Sequence, residues 1–329
     1  MASGEFATIA ELFAPLSDSA HGLGLGDDAA RVRPDPGFDI IATADQIVAG
    51  QHFIGDESAG DIARKALRVN LSDLAAMGAA PRYYLLSLAL PGSHQDAWLR
   101  DFAGALAGDQ KTYGIVLVGG DTAATDGPLV VGITAMGQTR IGAVLRRSGA
   151  AAGDIIYVSG TIGDAALGLA LVKGRLMHIA DRTISEEEAA WLQDRYRVPQ
   201  PRCGLGIGLA GFASAAIDIS DGLIADLGHI GEASGAAAVI GADQVPVSGP
   251  ARGLLAAQPD LLDLVLTGGD DYELLFTAHP EMAPSIERLA RETGLALTPI
   301  GTMTAGSGVS VRGEEGRELT FSATGYTHF

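Results

Sequence analysis

The chain has a single cysteine, Cys203, which excludes an intrachain disulfide and a multi-cysteine zinc site. Charge is also sparse, at 19% of residues, too little for long disordered tails. Within it basic residues are the minority, 22 against 40 acidic ones, giving a formal net charge of −18. No run of Lys or Arg exceeds two, so no basic face for nucleic acid is expected. No uninterrupted apolar stretch approaches a membrane span. The opening MASGEFATIAELF lacks the basic region and apolar core of a secretory signal. A reduced, soluble, cytoplasmic protein is the resulting expectation.

Several catalytic signatures are missing too. There is no G-x-x-x-x-G-K-S/T phosphate loop and no protein-kinase catalytic signature. No two of the seven histidines have zinc-ligand spacing. The segment DISDG places glycine one position too early for an EF-hand. Gly206, Gly208 and Gly211 match G-x-G-x-x-G, but Pro199 and Pro201 precede them where a strand is required. Packing on a small-residue helix accounts for them better.

What is present fits a protein of two domains. The 329 residues exceed what one core usually serves, and 47% of them are apolar. The 45 glycines are about twice the usual share of roughly 7%, and they stand beside Asp, Thr and Ser in short turns. Phe6, Ile9 and Phe13 recur at helical spacing over 4–14, ahead of Pro15. Ser58 and Asp61 resemble a capping box that opens a helix through Ala63 and Leu67. Strands are expected at 39–44, 83–90, 115–118, 129–136, 155–158, 215–217 and 272–277, and a helix at 98–108. Periodicity breaks near residue 145, so the chain reads as domains 1–145 and 146–329, a mixed α/β (α+β) architecture.

Six segments each present Asp beside an apolar element: Gly26–Asp28, Thr43–Asp45, Asn70–Asp73, Gly119–Thr122, Asp218–Gly222 and Gly268–Glu273. Asp favours turns and helix caps over element interiors, so these segments read as turns. One such turn is ordinary; six call for a common role. Carboxylates are hard ligands for Mg²⁺, which takes one or two of them together with phosphate oxygens and water. Transfer of a γ-phosphoryl group from ATP needs its negative charge neutralised and the reactants aligned. Gly119, Gly120 and Gly222 would admit phosphate oxygens close to the backbone. Asp218, Ser220 and Asp221 precede a helix, whose N-terminus favours phosphate.

The ordered series GDDAA, TAD, GQHF, KALRVNLSDLAAMGAAPRYYLLSLALP, GGDT, SGTIGDAALGL, IDISDGL, GGDDYELLFT and GYTHF resembles the thiamine-monophosphate kinase family along nearly the whole chain. That family belongs to the wider aminoimidazole-ribotide synthetase-like group. The resemblance implies a two-domain fold with a β-rich N-terminal domain and an α/β C-terminal domain. It also implies a homodimer formed through the N-terminal domains, and a reaction of ATP with thiamine monophosphate. By motif it places several Mg²⁺ ions at Asp28, Thr43, Asp45, Asp73, Asp121, Asp218 and Asp221. ATP is assigned to Gly120, Asp121, Arg147 and Ser220, and thiamine monophosphate to His52 and Asp270. Because the acceptor is already an anion, no catalytic base is assigned.

Three positions depart from the family pattern. Asp270 stands where Glu is frequent. Ala44 stands where Ser or Thr is frequent, so a metal contact there falls to its backbone carbonyl. Ala323 stands where a substrate-packing aromatic is expected, with Phe321 and Tyr326 as neighbouring substitutes. The absence of any Cys except Cys203 sets the chain apart from the selenide water dikinase and hydrogenase-maturation members of the group. A metal-binding scaffold without catalysis is the rival from another class, and it predicts metal-dependent stability without ATP turnover.

Overall fold

The computed structural model describes residues 8–54, 57–92, 96–176, 184–313, 316–321 and 325. The chain divides into two compact units, Met1–Leu74 with Ala79–Gly142, and Ala75–Gly78 with Ala143–Phe329. The sequence places its change of periodicity at 145, whereas the units change over after Gly142. No sequence signal marks Ala75–Gly78 as belonging with the later residues.

The first unit is built on β1 (Phe38–Val48), α1 (Ala59–Ala76), β2 (Ala80–Pro91), α2 (Asp96–Tyr113), β3 (Val116–Thr125) and β4 (Val130–Arg140). Its sheet has the order β1-β4-β2-β3. Only the β2–β3 pair is parallel, and α2 makes that crossover. Ser58 does cap α1, its Oγ accepting from the Asp61 N–H at 3.1 Å. One face of α1 buries Ile62, Ala63, Ala66, Leu67 and Leu74. The two helices are joined by a buried bidentate pair, Arg68 Nε and Nη2 each donating to Asp109 at 2.8 Å. Gln110 then ties α2 to β2 by donating to Tyr84 Oη at 3.2 Å. The helix expected over 4–14 is described only from residue 8. There it is a π-helical turn, Ile9–Phe13, that runs on into a 3₁₀ turn, Ala14–Leu16. Pro15 opens this second turn rather than ending the first, since its missing N–H costs nothing in a first turn.

The second unit carries β5 (Ile155–Ser159), α3 (Asp164–Val172), α4 (Glu186–Arg197), α5 (Cys203–Leu209), β6 (Ala215–Asp218), α6 (Leu223–Ser234) and β7 (Ala237–Gly241). These are followed by α7 (Gly249–Ala257), α8 (Leu261–Thr267), β8 (Leu274–Ala278), α9 (Ala283–Thr293), β9 (Leu297–Thr304), β10 (Val309–Arg312) and β11 (Glu318–Leu319). Seven strands form one sheet in the order β11-β10-β7-β9-β5-β8-β6. All five residues of β8 are buried, as a central strand covered on both faces requires. Ile156, Val158, Leu167, Leu223, Leu227, Val265 and Leu275 form part of a single core. Gly206 and Gly208 serve packing: a methyl group at Gly206 would overlap the Ala75 carbonyl oxygen, and one at Gly208 would strike Leu289, whereas Gly211 stands in open space at φ 101°. No helix among the described residues is long and apolar enough to cross a membrane.

Candidate active site

Three of the six Asp segments are not turns. Thr43–Asp45 lies inside β1, Asn70–Asp73 inside α1, and Gly119–Thr122 inside β3. β1 and β3 are the two edges of their sheet, where polar side chains reach solvent and Asp is tolerated. Within α1 the Asn70 side chain donates back to the Ala66 carbonyl at 2.9 Å, so it satisfies itself without leaving the helix.

Thr43 and Asp45 are two apart on β1 and therefore share a face. Asp73 of α1 meets them there: Thr43 Oγ1 donates to Asp73 Oδ2 at 2.5 Å, and the Asp45 and Asp73 carboxyls are in hydrogen-bonding contact. Asn70 Oδ1 accepts from the Asp45 N–H at 3.0 Å and fixes the strand against the helix. Desolvation holds the Asp45 carboxyl above its ordinary value, and the Asp73 contact draws it partly back. Two carboxyls in contact repel when both are charged, which favours a proton or a cation between them. With a hydroxyl beside them they form an all-oxygen donor set of the kind a hard divalent cation takes. Ala44 points to the opposite face and offers no side-chain donor.

A second group surrounds a cavity of about 530 Å³ within the same unit. Asp27, Asp28, Gly119, Gly120, Asp121 and Thr122 form its polar side, and Phe13, Leu25, Leu85 and Leu117 are among its apolar walls. The loop bearing Asp27 and Asp28 is anchored by Asp18, whose Oδ1 accepts from the N–H groups of His21 at 2.6 Å and Gly22 at 3.1 Å. Leu23, Gly24 and Leu25 then follow one another at φ 51, 64 and 57°. That left-handed turn costs about 1–2 kcal/mol at each leucine. Gly120 also has a packing role. A methyl at Gly120 would overlap the Leu86 carbonyl oxygen, so this glycine is required by the fit of β3 on β2.

His52 follows β1 in a turn, where its Nδ1 accepts from the Val48 N–H at 3.2 Å. The ring is therefore held as a turn acceptor in the unprotonated state at Nδ1.

In the second unit, Asp218 ends β6 and is buried, while Ser220 and Asp221 are half-buried in the loop before α6. Asp226, a residue the sequence reading passed over, organises this loop. Its Oδ2 accepts from the N–H groups of Ser220, Asp221 and Gly222, each at 3.1 Å. Burial, then the nearby Asp221 charge, push the Asp226 carboxyl up to about 7 against the pull of those three bonds. Its signal was an acid in the first turn of a helix that begins after glycine. Asp221, Asp226 and His229 bring one ligand atom each within 4.8 Å of one another. Gly222 lies against the loop after α8, where an added methyl would stand 2.6 Å from the Thr267 carbonyl oxygen. Here too the close approach is to the chain's own backbone.

The loop Gly268–Glu273 is zipped to Asp218–Gly222. Asp270 N–H donates to the Ser220 carbonyl at 2.9 Å, Tyr272 N–H to Ile219 at 2.8 Å, and Ile219 N–H to Glu273 at 2.9 Å. The strand expected from 272 therefore starts only at Leu274, because Asp270 and Tyr272 hold positive φ of 69 and 51°. The acids of this loop divide their work. Asp271, 1% exposed, accepts from the N–H groups of Gly163 at 2.7 Å and Ala165 at 3.2 Å at the start of α3. Burial, with Asp164 close by, pushes it up to about 8. Glu273 is fully buried and accepts from Ser159 at 2.6 Å, Arg195 at 2.9 Å and Arg202 Nε at 2.7 Å. That leaves Asp270 as the acid of the motif with Tyr272 Oη donating to its Oδ1 at 3.2 Å.

Arg147 is exposed, and its carbonyl accepts from Ser234. Ala323 and Tyr326 lie outside the described residues. Gly325 is described, and a methyl there would stand 2.9 Å from the Asp221 carbonyl oxygen, so the chain returns to this loop near its end.

Comparison with known proteins bears on this arrangement. Residues 26–139 match the family model for the AIR synthase related protein N-terminal domain, and 151–314 match that for the C-terminal domain. A thiamine-monophosphate kinase of Caulobacter vibrioides is 40% identical over 328 residues, covering 98% of this chain and 90% of its own. The crystal structure of thiamine-monophosphate kinase from Stenotrophomonas maltophilia superposes with a TM-score of 0.84 at 42% identity, covering 96% of this chain and 98% of its own. AaThiL complexed with AMPPCP and TMP superposes with a TM-score of 0.76 at 28% identity, covering 99% and 97%.

Proposed function

Since the chain belongs to the thiamine-monophosphate kinase family of AIR synthase related proteins, we propose that it transfers the γ-phosphoryl group of ATP to thiamine monophosphate, giving ADP and thiamine diphosphate. It is an ATP-dependent phosphotransferase whose acceptor is a phosphate group. The observation that carries the reading is the joined set Thr43, Asp45 and Asp73. An acceptor phosphate needs no base to become a nucleophile. The barrier is the approach of two anions, and positioned positive charge lowers it.

The residue roles follow from chemistry. Asp28, Thr43, Asp45, Asp73 and Asp121 would hold Mg²⁺ in the first unit, and Asp218 and Asp221 in the second. These carboxylates and the Thr43 hydroxyl are hard oxygen donors suited to that ion, and the chemistry it would supply there is charge neutralisation. Gly120, Asp121, Ser220 and Arg147 would hold ATP, Arg147 through a guanidinium suited to phosphate. His52 and Asp270 would contact thiamine monophosphate, and Ala323 is assigned to it by motif alone. Asp226 sets the loop that carries Ser220 and Asp221. The same reading carries a homodimer formed through the β-rich unit and a cytoplasmic setting.

The test is ADP release by the purified protein with Mg²⁺, ATP and a panel of acceptors. Turnover is expected with thiamine monophosphate, with thiamine diphosphate as the product. Turnover with another phosphate or amide acceptor and none with thiamine monophosphate overturns the assignment.

A further inference from the structure

Tyr272 is a bulky residue at φ 51°, two positions from Asp270 at φ 69°. Side chains rarely adopt this conformation, and each such residue costs about 1–3 kcal/mol. Three features of the fold hold the pair there. The N–H groups of Asp270 and Tyr272 donate to Ser220 and Ile219. Gly269 is pressed against the Ser220 carbonyl, where a methyl would not fit. Asp271 and Glu273, on the alternate positions, are fixed by buried bonds to α3, β5 and Arg195. A glycine at 272 would take this conformation without strain. What tyrosine adds is a hydroxyl, and that hydroxyl donates to Asp270 Oδ1 at 3.2 Å.

We propose that Tyr272 is a positioning residue for thiamine monophosphate, acting through Asp270. The proposal rests on the reading of Asp270 as a substrate contact. A carboxylate rotates freely about its last bond unless a donor fixes it. The phenol fixes that rotation and so sets the direction in which the carboxylate accepts a hydrogen bond. A carboxylate is an acceptor only, so its partner on the substrate is an N–H donor, such as the exocyclic amine of an aminopyrimidine. Asp is one methylene shorter than Glu, so its reach is set more by the backbone, and the left-handed backbone here supplies it.

The experiment is Tyr272→Phe, which removes one hydroxyl and keeps the ring. Expected is a rise of about 10-fold in KM for thiamine monophosphate, the scale of losing a hydrogen bond to a charged group. KM for ATP and the melting temperature stay at the parent values. Asp270→Ala raises the same KM, and the double variant is no worse than Asp270→Ala alone. Tyr272→Phe with unchanged KM for thiamine monophosphate, or with an equal rise for ATP, overturns the proposal while Asp270→Ala still reports the contact. An unchanged KM in Asp270→Ala overturns the reading of Asp270 itself, and the proposal with it. Should Tyr272→Phe melt earlier, calorimetric binding of thiamine monophosphate below that temperature reads the same ratio.

Discussion

Asp73→Asn separates a metal site from a merely acidic one, because the two predict opposite signs. Asp73 faces Asp45 and accepts from Thr43 Oγ1 at 2.5 Å. Asparagine keeps the shape and a carbonyl acceptor for that hydroxyl, and removes one negative charge. Two like charges about 4 Å apart repel by about 4 kcal/mol at an effective dielectric near 20. Asp45 is exposed on its edge strand although neighbouring atoms partly desolvate its carboxyl, and solvent screening cuts this to about 1 kcal/mol or less. Without divalent cation the variant should therefore be as stable as the parent or slightly more so.

With Mg²⁺ the order reverses. A cation present at about 100 times its dissociation constant stabilises the parent by about 2.7 kcal/mol. That gain should largely vanish in the variant, and turnover should separately fall about 100-fold, the scale of losing a main electrostatic stabiliser of the transition state. Thermal unfolding with and without Mg²⁺ reads the first quantity, and ADP release the second. Asp121→Asn should lose turnover on the same scale. Parent-like turnover in both variants, with an undiminished Mg²⁺ shift in Asp73→Asn, would refute the metal reading.

Two further outcomes test the scaffold. Gly206→Ala should cost about 1–3 kcal/mol in urea unfolding, since its methyl meets fixed backbone at Ala75; an unchanged midpoint would show that α5 can shift. Asp271 has a folded-state value of about 8 against an ordinary 3.8, so the folded chain holds a proton that the unfolded chain releases. Its contribution is complete below about pH 4 and is lost as pH rises towards about 8, by at most ~1.4 kcal/mol per unit. Stability followed across that range should decline, and Asp271→Asn should flatten the decline; an identical slope in the variant would place the proton elsewhere.

β1 to β6, β8, α1 and α2 were legible because their apolar periodicity is strong, whereas β7, β9 to β11, α4, α7 and α9 were not read. β2, β4, β5 and α1 lie where alternation, capping and proline limits put them. The family was legible from ordered motifs. What misled was a propensity rule applied to Asp one segment at a time. Asp45 and Asp121 sit in edge strands and Asp73 in a helix, places where tertiary surroundings override the preference for turns. Gly120 and Gly222 also make room for the chain's own carbonyls, and sequence does not say which atom a glycine is making room for. Asp226 and Asp271 were hidden because their partners are backbone N–H groups, which carry no residue identity.

The motif Gly268–Glu273 shows why counting acids overstates a site. Of its three, Asp271 caps a helix and Glu273 balances two arginines. Their function is to hold a conformation that costs about 2–6 kcal/mol across Asp270 and Tyr272. Hydrogen bonds to charged groups contribute about 1.5–3 kcal/mol each. The three bonds on Glu273, from Ser159, Arg195 and Arg202, are on that scale, and with the Gly163 and Ala165 bonds to protonated Asp271 they offset that strain. The strain is local and the bonds that balance it are buried, so the geometry of Asp270 is set by residues no ligand need touch. A substitution at Glu273 should for that reason act on Asp270 as surely as one at Tyr272, but through loss of the fold around it, and a falling melting temperature tells the two apart.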